Sequence, residues 1–210
     1  MNLSEPLASV VPGVRGRVLT VLARTDVPLT GRTVASLVRP SASQAGVQLS
    51  LNTLVAEGLV LSEPAGRAHL YRLNRDHLAA GLVLKLANLT HTLFDTITGY
   101  VSTWDLPAVA VWLFGSTVRG QAGVQSDVDL LVVRPDRVSL DDPQWLEQLH
   151  ELSRLVHRWT GNACEVIDYS PSELIALTVS GERLAEELRR DTIALVGPHP
   201  RTLLAPRTSV

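Results

Sequence analysis

The sequence predicts two domains: an N-terminal α+β unit and a C-terminal α/β unit whose mixed sheet is flanked by helices. Three observations predict it. Residues 1–76 hold three apolar-periodic segments followed by two short alternating runs; residues 107–198 open with two strand-like runs around a glycine-serine bend; and a helical stripe at 77–106 joins them. A chain of 210 residues divides naturally into two units of about 100. With 45% apolar and 19% charged residues, a disordered tail, a collagen-like fibre and a coiled coil are excluded.

Cys164, the single cysteine, excludes an internal disulfide framework and a cysteine zinc cluster, and it fits a reducing compartment. Residues 1–16 lack a signal-peptide layout, and no apolar run approaches the roughly 18 residues of a membrane span. A cytoplasmic protein with no membrane partner is expected. The net charge of −2 hides an asymmetry: residues 1–84 carry +3 and residues 85–210 carry −5. A mildly basic half suits phosphates, and an acidic half suits cations.

In the N-terminal half, Arg15 to Arg24 predicts a short helix with Val18, Leu19 and Leu22 on one face, broken at Thr25-Asp26-Val27-Pro28. Thr30 is placed to cap a second helix carrying Val34, Leu37 and Val38, which Pro40 ends. A third helix runs from about Ser43 to Glu57, with Val47, Leu51, Leu54 and Val55 inward and Gln44, Gln48 and Asn52 opposite; Gly58 stops it. The period then becomes that of strands, Leu59 to Ser62 and His69 to Leu73, around a turn at Glu63 to Arg67. Three helices followed by a hairpin make a winged helix.

Over residues 12–76 this segment resembles the winged helix-turn-helix domains of bacterial regulators of the MarR and ArsR type. The likeness rests on Leu51-Asn52-Thr53-Leu54-Val55-Ala56-Glu57-Gly58-Leu59-Val60, on Gly66-Arg67 and on Tyr71-Arg72-Leu73-Asn74. It implies a third helix in the major groove of double-stranded DNA, with Ser43, Gln44 and Gln48 facing base edges and Arg67 meeting a phosphate at the wing tip. Such folds also serve as protein-docking modules, and no Arg or Lys lies between Ser41 and Glu57.

Asn74 to Trp104 predicts one long helix, with Leu78, Leu82, Leu86, Leu89, Leu93, Ile97, Val101 and Trp104 on its stripe and a break near Gly99. The stripe packs within the monomer or pairs two copies, since regulators of this shape bind two half-sites as homodimers.

In the C-terminal half, Ala108 to Phe114 has the length and β-branched content of a buried strand. Gly115-Ser116-Thr117-Val118-Arg119-Gly120 follows, and a second strand begins at Ser126-Asp127-Val128-Asp129 and ends at Val133. Alternation puts Asp127 and Asp129 on one face, about 7 Å apart. Two carboxylates on a core strand are costly unless a cation neutralises them, and hard oxygen ligands suit Mg²⁺, which also binds substrate phosphates. Gly115 lets a phosphate approach the backbone, and Ser116 is expected to begin a short helix whose amides and hydroxyl hold phosphate oxygens.

Gly-Ser, ten residues, then Asp-x-Asp resembles the signature of the minimal nucleotidyltransferases of the DNA polymerase β superfamily, here Gly115-Ser116 and Asp127/Asp129, with Arg119-Gly120 and Ser126 also matching, over residues 105–197. The resemblance implies a nucleotidyltransferase that moves a nucleoside monophosphate from a nucleoside triphosphate, ATP being the expected nucleotide, to a hydroxyl. It further implies two Mg²⁺ ions on Asp127, Asp129 and a third carboxylate, with Gly115, Ser116, Arg119 and Ser126 around the triphosphate.

For that third acid, Asp142 to Thr160 predicts a helix with Trp145, Leu149, Leu152, Leu155 and Val156 inward, and Gly161-Asn162 turns into the strand Ala163 to Tyr169. Alternation separates Glu165 from Asp168, so at most one reaches the site. Glu165, in mid-strand where the family's acid falls, is the choice, and it stands where small members commonly carry Asp. Asp168 is expected to cap the helix begun at Ser170-Pro171-Ser172-Glu173. A helix at Glu182 to Arg190 with a Glu186–Arg190 surface pair, a strand at Asp191 to Gly197 and a loose tail at 199–210 complete the chain. His150 and His157 lack companions at metal-ligand spacing, and Cys164 reads as core filler.

The leading reading is a nucleotidyltransferase positioned by a DNA-binding winged helix. Two alternatives stand beside it. One is a transcriptional regulator whose nucleotidyltransferase-like domain senses a nucleotide or is inactive; the other is an antitoxin-like enzyme that nucleotidylates a partner protein.

Overall fold

The computed structural model describes residues 1–180 and 182–204, which divide into two compact units: a first made of Asn2 and Ser4–Thr90, and a second that starts at His91 and includes Met1 and Leu3. Among those residues no helix is long and apolar enough to cross a membrane.

The first unit packs α1 (Val14–Ala23), α2 (Gly31–Leu37) and α3 (Gln44–Ala56) against a three-stranded antiparallel sheet in the order β1-β3-β2. Val18, Leu19, Leu22, Val34, Val47, Leu51 and Leu54 are its buried centre, so the spacing of three and four converts directly into a core. The expected cap forms, Thr30 Oγ1 accepting from Thr33 N at 3.1 Å, and Ser43, expected to face a base edge, caps α3 with its Oγ accepting from Gly46 N at 3.1 Å. Strands β2 (Val60–Ala65) and β3 (Ala68–Leu73) are longer than expected, and the turn shrinks to Gly66-Arg67, with Gly66 at φ +62°. Pro64 is tolerated because β2 lies at the sheet edge. Strand β1 (Leu29–Thr30) has no alternation to announce it; only its pairing with Tyr71 and Leu70 makes it a strand.

The stretch expected as one helix from Asn74 to Trp104 is two. Helix α4 (Ala80–Ala87) closes at Asn88, whose N–H is shared among the Leu84, Lys85 and Leu86 carbonyls, and α5 (Leu89–Val101) follows. Gly99, the expected break, lies inside α5 without interrupting it.

In the second unit, β4 (Ala110–Phe114), β5 (Val128–Val133), β6 (Cys164–Tyr169) and β7 (Ile193–Val196) form a mixed sheet in the order β6-β5-β4-β7, with only β5 and β6 parallel. One face, carrying Val111, Leu113, Leu130 and Val132, packs on α5 and on α6 (Pro143–Thr160) through Ile97, Trp145, Leu152 and Val156. The other, carrying Trp112, Leu131 and Val133, packs on α7 (Pro171–Ser180) and α8 (Arg183–Arg190) through Leu174 and Leu188. Helix α6 starts as expected, Asp142 Oδ1 accepting from Gln144 N and Trp145 N. The expected loose tail instead forms α9 (Pro200–Leu203) behind His199, with Leu204 buried, while 205–210 lie outside the described residues. Arg190 pairs with Asp191 rather than with Glu186.

Candidate active site

Strand β4 ends at Phe114, directly opposite Asp129 on β5, and the chain turns at Gly115 with φ +75°. That turn places the glycine against the Asp129 carboxylate. A Cβ at Gly115 would lie 2.9 Å from Asp129 Cγ and would overlap Oδ2. The short helix expected at Ser116 does not form. Residues 115–120 are consecutive turns, tied by Arg119 N to Gly115 O (3.4 Å) and Gln121 N to Ser116 O (3.0 Å), and they end at a second left-handed glycine, Gly120 at φ +65°. Ser116 is half-buried and its hydroxyl makes no hydrogen bond among the described residues, whereas Thr117 Oγ1 is buried without a partner.

Asp127 stands one residue before β5, and both flanking peptides are tied to the same segment. Ser126 O accepts from Asn162 Nδ2 at 2.9 Å, and Val128 N donates to Ala163 O at 2.8 Å. Ser126 Oγ is committed to Gly123 N at 2.8 Å. In the parallel register Asp129 lies beside Glu165, so the two carboxylates share the face of Leu131 and Val133. Burial pushes the Asp129 carboxyl above the usual aspartate range, and the charges of Glu165, Asp127 and, more weakly, Glu187 add to it, while Arg119 opposes. Asp127 and Glu165 are exposed and Asp129 is half-buried, so the group is open to a solute. Among the described residues no three His, Cys, Asp or Glu side chains stand close enough as they are to hold one metal ion.

Asp168 lies on the opposite face of the sheet. Its Oδ2 accepts from Arg134 Nε (2.9 Å) and Trp145 Nε1 (3.0 Å), so it does not cap α7. The cap is Ser170, in reciprocal hydrogen bonds with Glu173: Glu173 N to Ser170 Oγ at 3.2 Å and Ser170 N to Glu173 Oε2 at 2.6 Å. Arg119 is exposed, with Nε donating to Gln121 Oε1 at 3.4 Å and Nη1 3.8 Å from Asp191. The Cys164 thiol is pushed up to about 12 by burial and by Asp129 and Asp127, the reverse of a nucleophile.

In the first unit, the four residues proposed from sequence to meet DNA separate into two kinds. Ser43 is spent on its cap, and Gln48 Nε2 donates to Asn52 Oδ1 and Tyr71 Oη, both at 2.9 Å. Gln44 and Arg67 are exposed, and so is Leu49 of α3, at 69%.

Sequence reasoning missed Asn162 and Thr117. The signal for Asn162 was its place between a left-handed Gly161 and the strand bearing Glu165; nothing local marks Thr117, whose burial arises from the fold.

Residues 100–175 match the family described as nucleotidyltransferase domain. That match, which spans the Gly115 bend and the acids beyond it, makes nucleotidyltransferase the enzyme class of the second unit. Among solved structures the chain is similar to a toxin-antitoxin structure with AMP-PNP, at 16% identity over 53% of this chain and 80% of that one, TM-score 0.39. Human N-acetylserotonin methyltransferase in complex with SAM matches at 23% identity over 48% of this chain and 30% of that one, TM-score 0.28. The archaeal chromatin protein TrmBL2 matches at 11% identity over 85% and 75%, TM-score 0.32. No curated protein matches the chain significantly.

Proposed function

We propose that the second unit transfers a nucleoside monophosphate from a nucleoside triphosphate, with ATP as the expected nucleotide, to an acceptor hydroxyl, and that the first unit is a winged helix-turn-helix that brings it to double-stranded DNA. The observation that carries the enzymatic part is Asp129: packed on Gly115, registered with Glu165 and within the field of Asp127.

Asp127 and Glu165 raise the proton affinity of Asp129, and three hard-oxygen donors that repel in this way would suit a divalent cation such as Mg²⁺ once their side chains draw together around it. Two such ions, held by Asp127, Asp129 and Glu165, would supply Lewis acidity at the α-phosphate and charge neutralisation at the departing pyrophosphate. The chain's own residues do the rest. The Gly115 turn admits the triphosphate to the backbone, the Ser116 hydroxyl and the Arg119 guanidinium bind its oxygens, and the peptide around Ser126 shapes the wall. Glu165 accepts the proton of the acceptor hydroxyl as its oxygen bonds to the α-phosphorus and the bond to the β-phosphate oxygen breaks. Pyrophosphate leaves.

The domain division that accompanies this reading is 1–76 for the winged helix, 77–106 as connection, 107–198 for the transferase and 199–210 as tail. Incubation with α-labelled triphosphates and Mg²⁺ tests the enzymatic part. Label carried by an acceptor together with released pyrophosphate supports it. Tight nucleotide binding without turnover would instead favour the nucleotide-sensing regulator, and label on a co-purified polypeptide the protein-modifying enzyme.

A further inference from the structure

The loop before the acidic strand is held from one side chain. Asn162 is 2% exposed, and its Nδ2 donates to Ser126 O at 2.9 Å, with longer contacts to Val124 O at 3.3 Å and Gly123 O at 3.5 Å. Residues 123–126 curl on their own bonds, Gly123 N to Ser126 Oγ at 2.8 Å and Ser126 N to Gly123 O at 3.3 Å, and the Asn162 amide nitrogen ties the carbonyl side of that curl to the approach of β6. The next residue closes the other side, Ala163 O accepting from Val128 N at 2.8 Å. Asp127 thus sits between two peptides anchored to 162 and 163, and the same short segment reaches Glu165 two residues later. Asn162 is fixed in turn, its N–H donating to Thr160 Oγ1 at 3.0 Å and its carbonyl oxygen lying 3.0 Å from His157 Nδ1. None of these atoms belongs to the carboxylates themselves.

We propose that Asn162 is a positioning residue that sets the separation of Asp127 from Glu165, and through it the affinity of the acidic group for a divalent cation. The proposal rests on the reading of that group as a metal-nucleotide site. Groups behind metal ligands commonly contribute ten- to a hundredfold in metal affinity, about the range expected here. Without the amide donor, the peptide from 123 to 126 loses the side-chain hydrogen bonds that tie it to the neighbouring strand's approach, and Asp127 gains freedom that binding must remove.

The test is Mn²⁺ binding to the full chain by electron paramagnetic resonance, with kcat and KM for the triphosphate measured beside it. Three variants are compared: Asn162→Ala, Asn162→Asp and Asn162→Ser. Asn162→Asp is decisive, because it keeps the shape and the oxygen that accepts from the Met1 ammonium at 2.7 Å, and replaces the donor with an acceptor set against three acceptors. The expected result is Mn²⁺ binding at least about tenfold weaker in Asn162→Asp than in the parent, with Asn162→Ser, which keeps a donor, in between. The drop should persist well below each variant's own unfolding temperature, and kcat should fall more than KM changes. A purely structural asparagine would lower the unfolding temperature and leave the folded protein's Mn²⁺ affinity unchanged, which overturns the proposal. If Asn162→Asp does not fold, the same comparison between Asn162→Ser and the parent decides. Failure of the parent to bind Mn²⁺ at all would overturn the metal-nucleotide reading as well; parent binding that Asn162→Asp and Asn162→Ser both match overturns the positioning role alone.

Discussion

Gly115 and Asp129 compete for one volume. The carboxylate of Asp129 occupies the space where any other residue at 115 would carry its Cβ, and φ at Gly115 is +75°. Glycine there serves two physical ends together, the left-handed turn out of β4 and the close approach of an acid. Gly115→Ala is therefore expected to cost about 1–2 kcal/mol for the left-handed backbone alone and to push the acid out of place. Transfer should be lost while the chain still folds. Gly120→Ala is the control, since φ is +65° but nothing lies within 4 Å of a Cβ there. It should show a similar fall in unfolding temperature with transfer retained. Equal activity in the two variants would contradict the role given to the Gly115–Asp129 contact.

The neutral replacements Asp127→Asn and Asp129→Asn are expected to abolish metal-dependent transfer and to leave the fold intact. Asp129→Asn should in addition unfold at a slightly higher temperature than the parent in metal-free buffer, because it removes a partly buried charge that Glu165 and Asp127 repel. Calorimetry in the presence of a chelator measures the stability, and pyrophosphate release measures the transfer. Retained transfer in either variant would remove the enzymatic assignment.

Much of this site was legible because its information is local. Glycine-serine, the ten-residue spacer and Asp-x-Asp lie within fifteen consecutive residues, and strand alternation alone separates Glu165 from Asp168 onto opposite faces. What stayed illegible depends on partners distant in the chain. Strand β1 is a strand through its pairing with Leu70 and Tyr71. Asp168 is claimed by Arg134 and Trp145, which approach from another strand and from α6, so its proximity to Ser170 in sequence misleads about the cap. The helix expected at Ser116 fails because left-handed glycines bound a stretch of six residues, too short to propagate. The long helix splits at Asn88 although the apolar spacing runs through it, since spacing reports which face is buried and not whether the backbone is continuous.

Arg134 is 5% exposed and joins β6, α7 and the loop after β5, donating to Asp168, to Glu173 Oε2 at 3.0 Å and to Val138 O at 2.6 Å. Arg134→Ala strands the carboxylate of Asp168 and is expected to cost about 3–5 kcal/mol. Glu173 adds a pH dependence. The Ser170 amide, helped by the Ser170 hydroxyl and Arg134, holds its carboxyl below the usual glutamate value of 4.5. A lowered native pKa means stability fully present above 4.5 and lost as pH falls through the native value. Denaturation of the parent and of Glu173→Gln should then differ most at neutral pH and converge as the solution is acidified below 4.5. A constant offset at all pH values would show that the carboxylate charge plays no part.

For the first unit, the exposed pair Gln44 and Arg67 bounds what DNA recognition can be. Gln44 opens α3 one residue after its cap, and Arg67 stands at the tip of the β2–β3 turn. Gln48, whose amide is held by Asn52 and Tyr71, must break two hydrogen bonds to read a base, so Gln48→Ala is expected to change affinity little. Arg67→Ala should weaken binding to every duplex alike and lower the slope of log affinity against log salt by about 1, the signature of one lost phosphate contact. Gln44→Ala should instead leave that slope unchanged and relax preference at one base pair, by about 1–3 kcal/mol. Electrophoretic shifts on a randomised duplex pool, repeated across a salt series, separate the three outcomes. Absence of retardation at the lowest salt would remove the DNA-binding reading of the first unit.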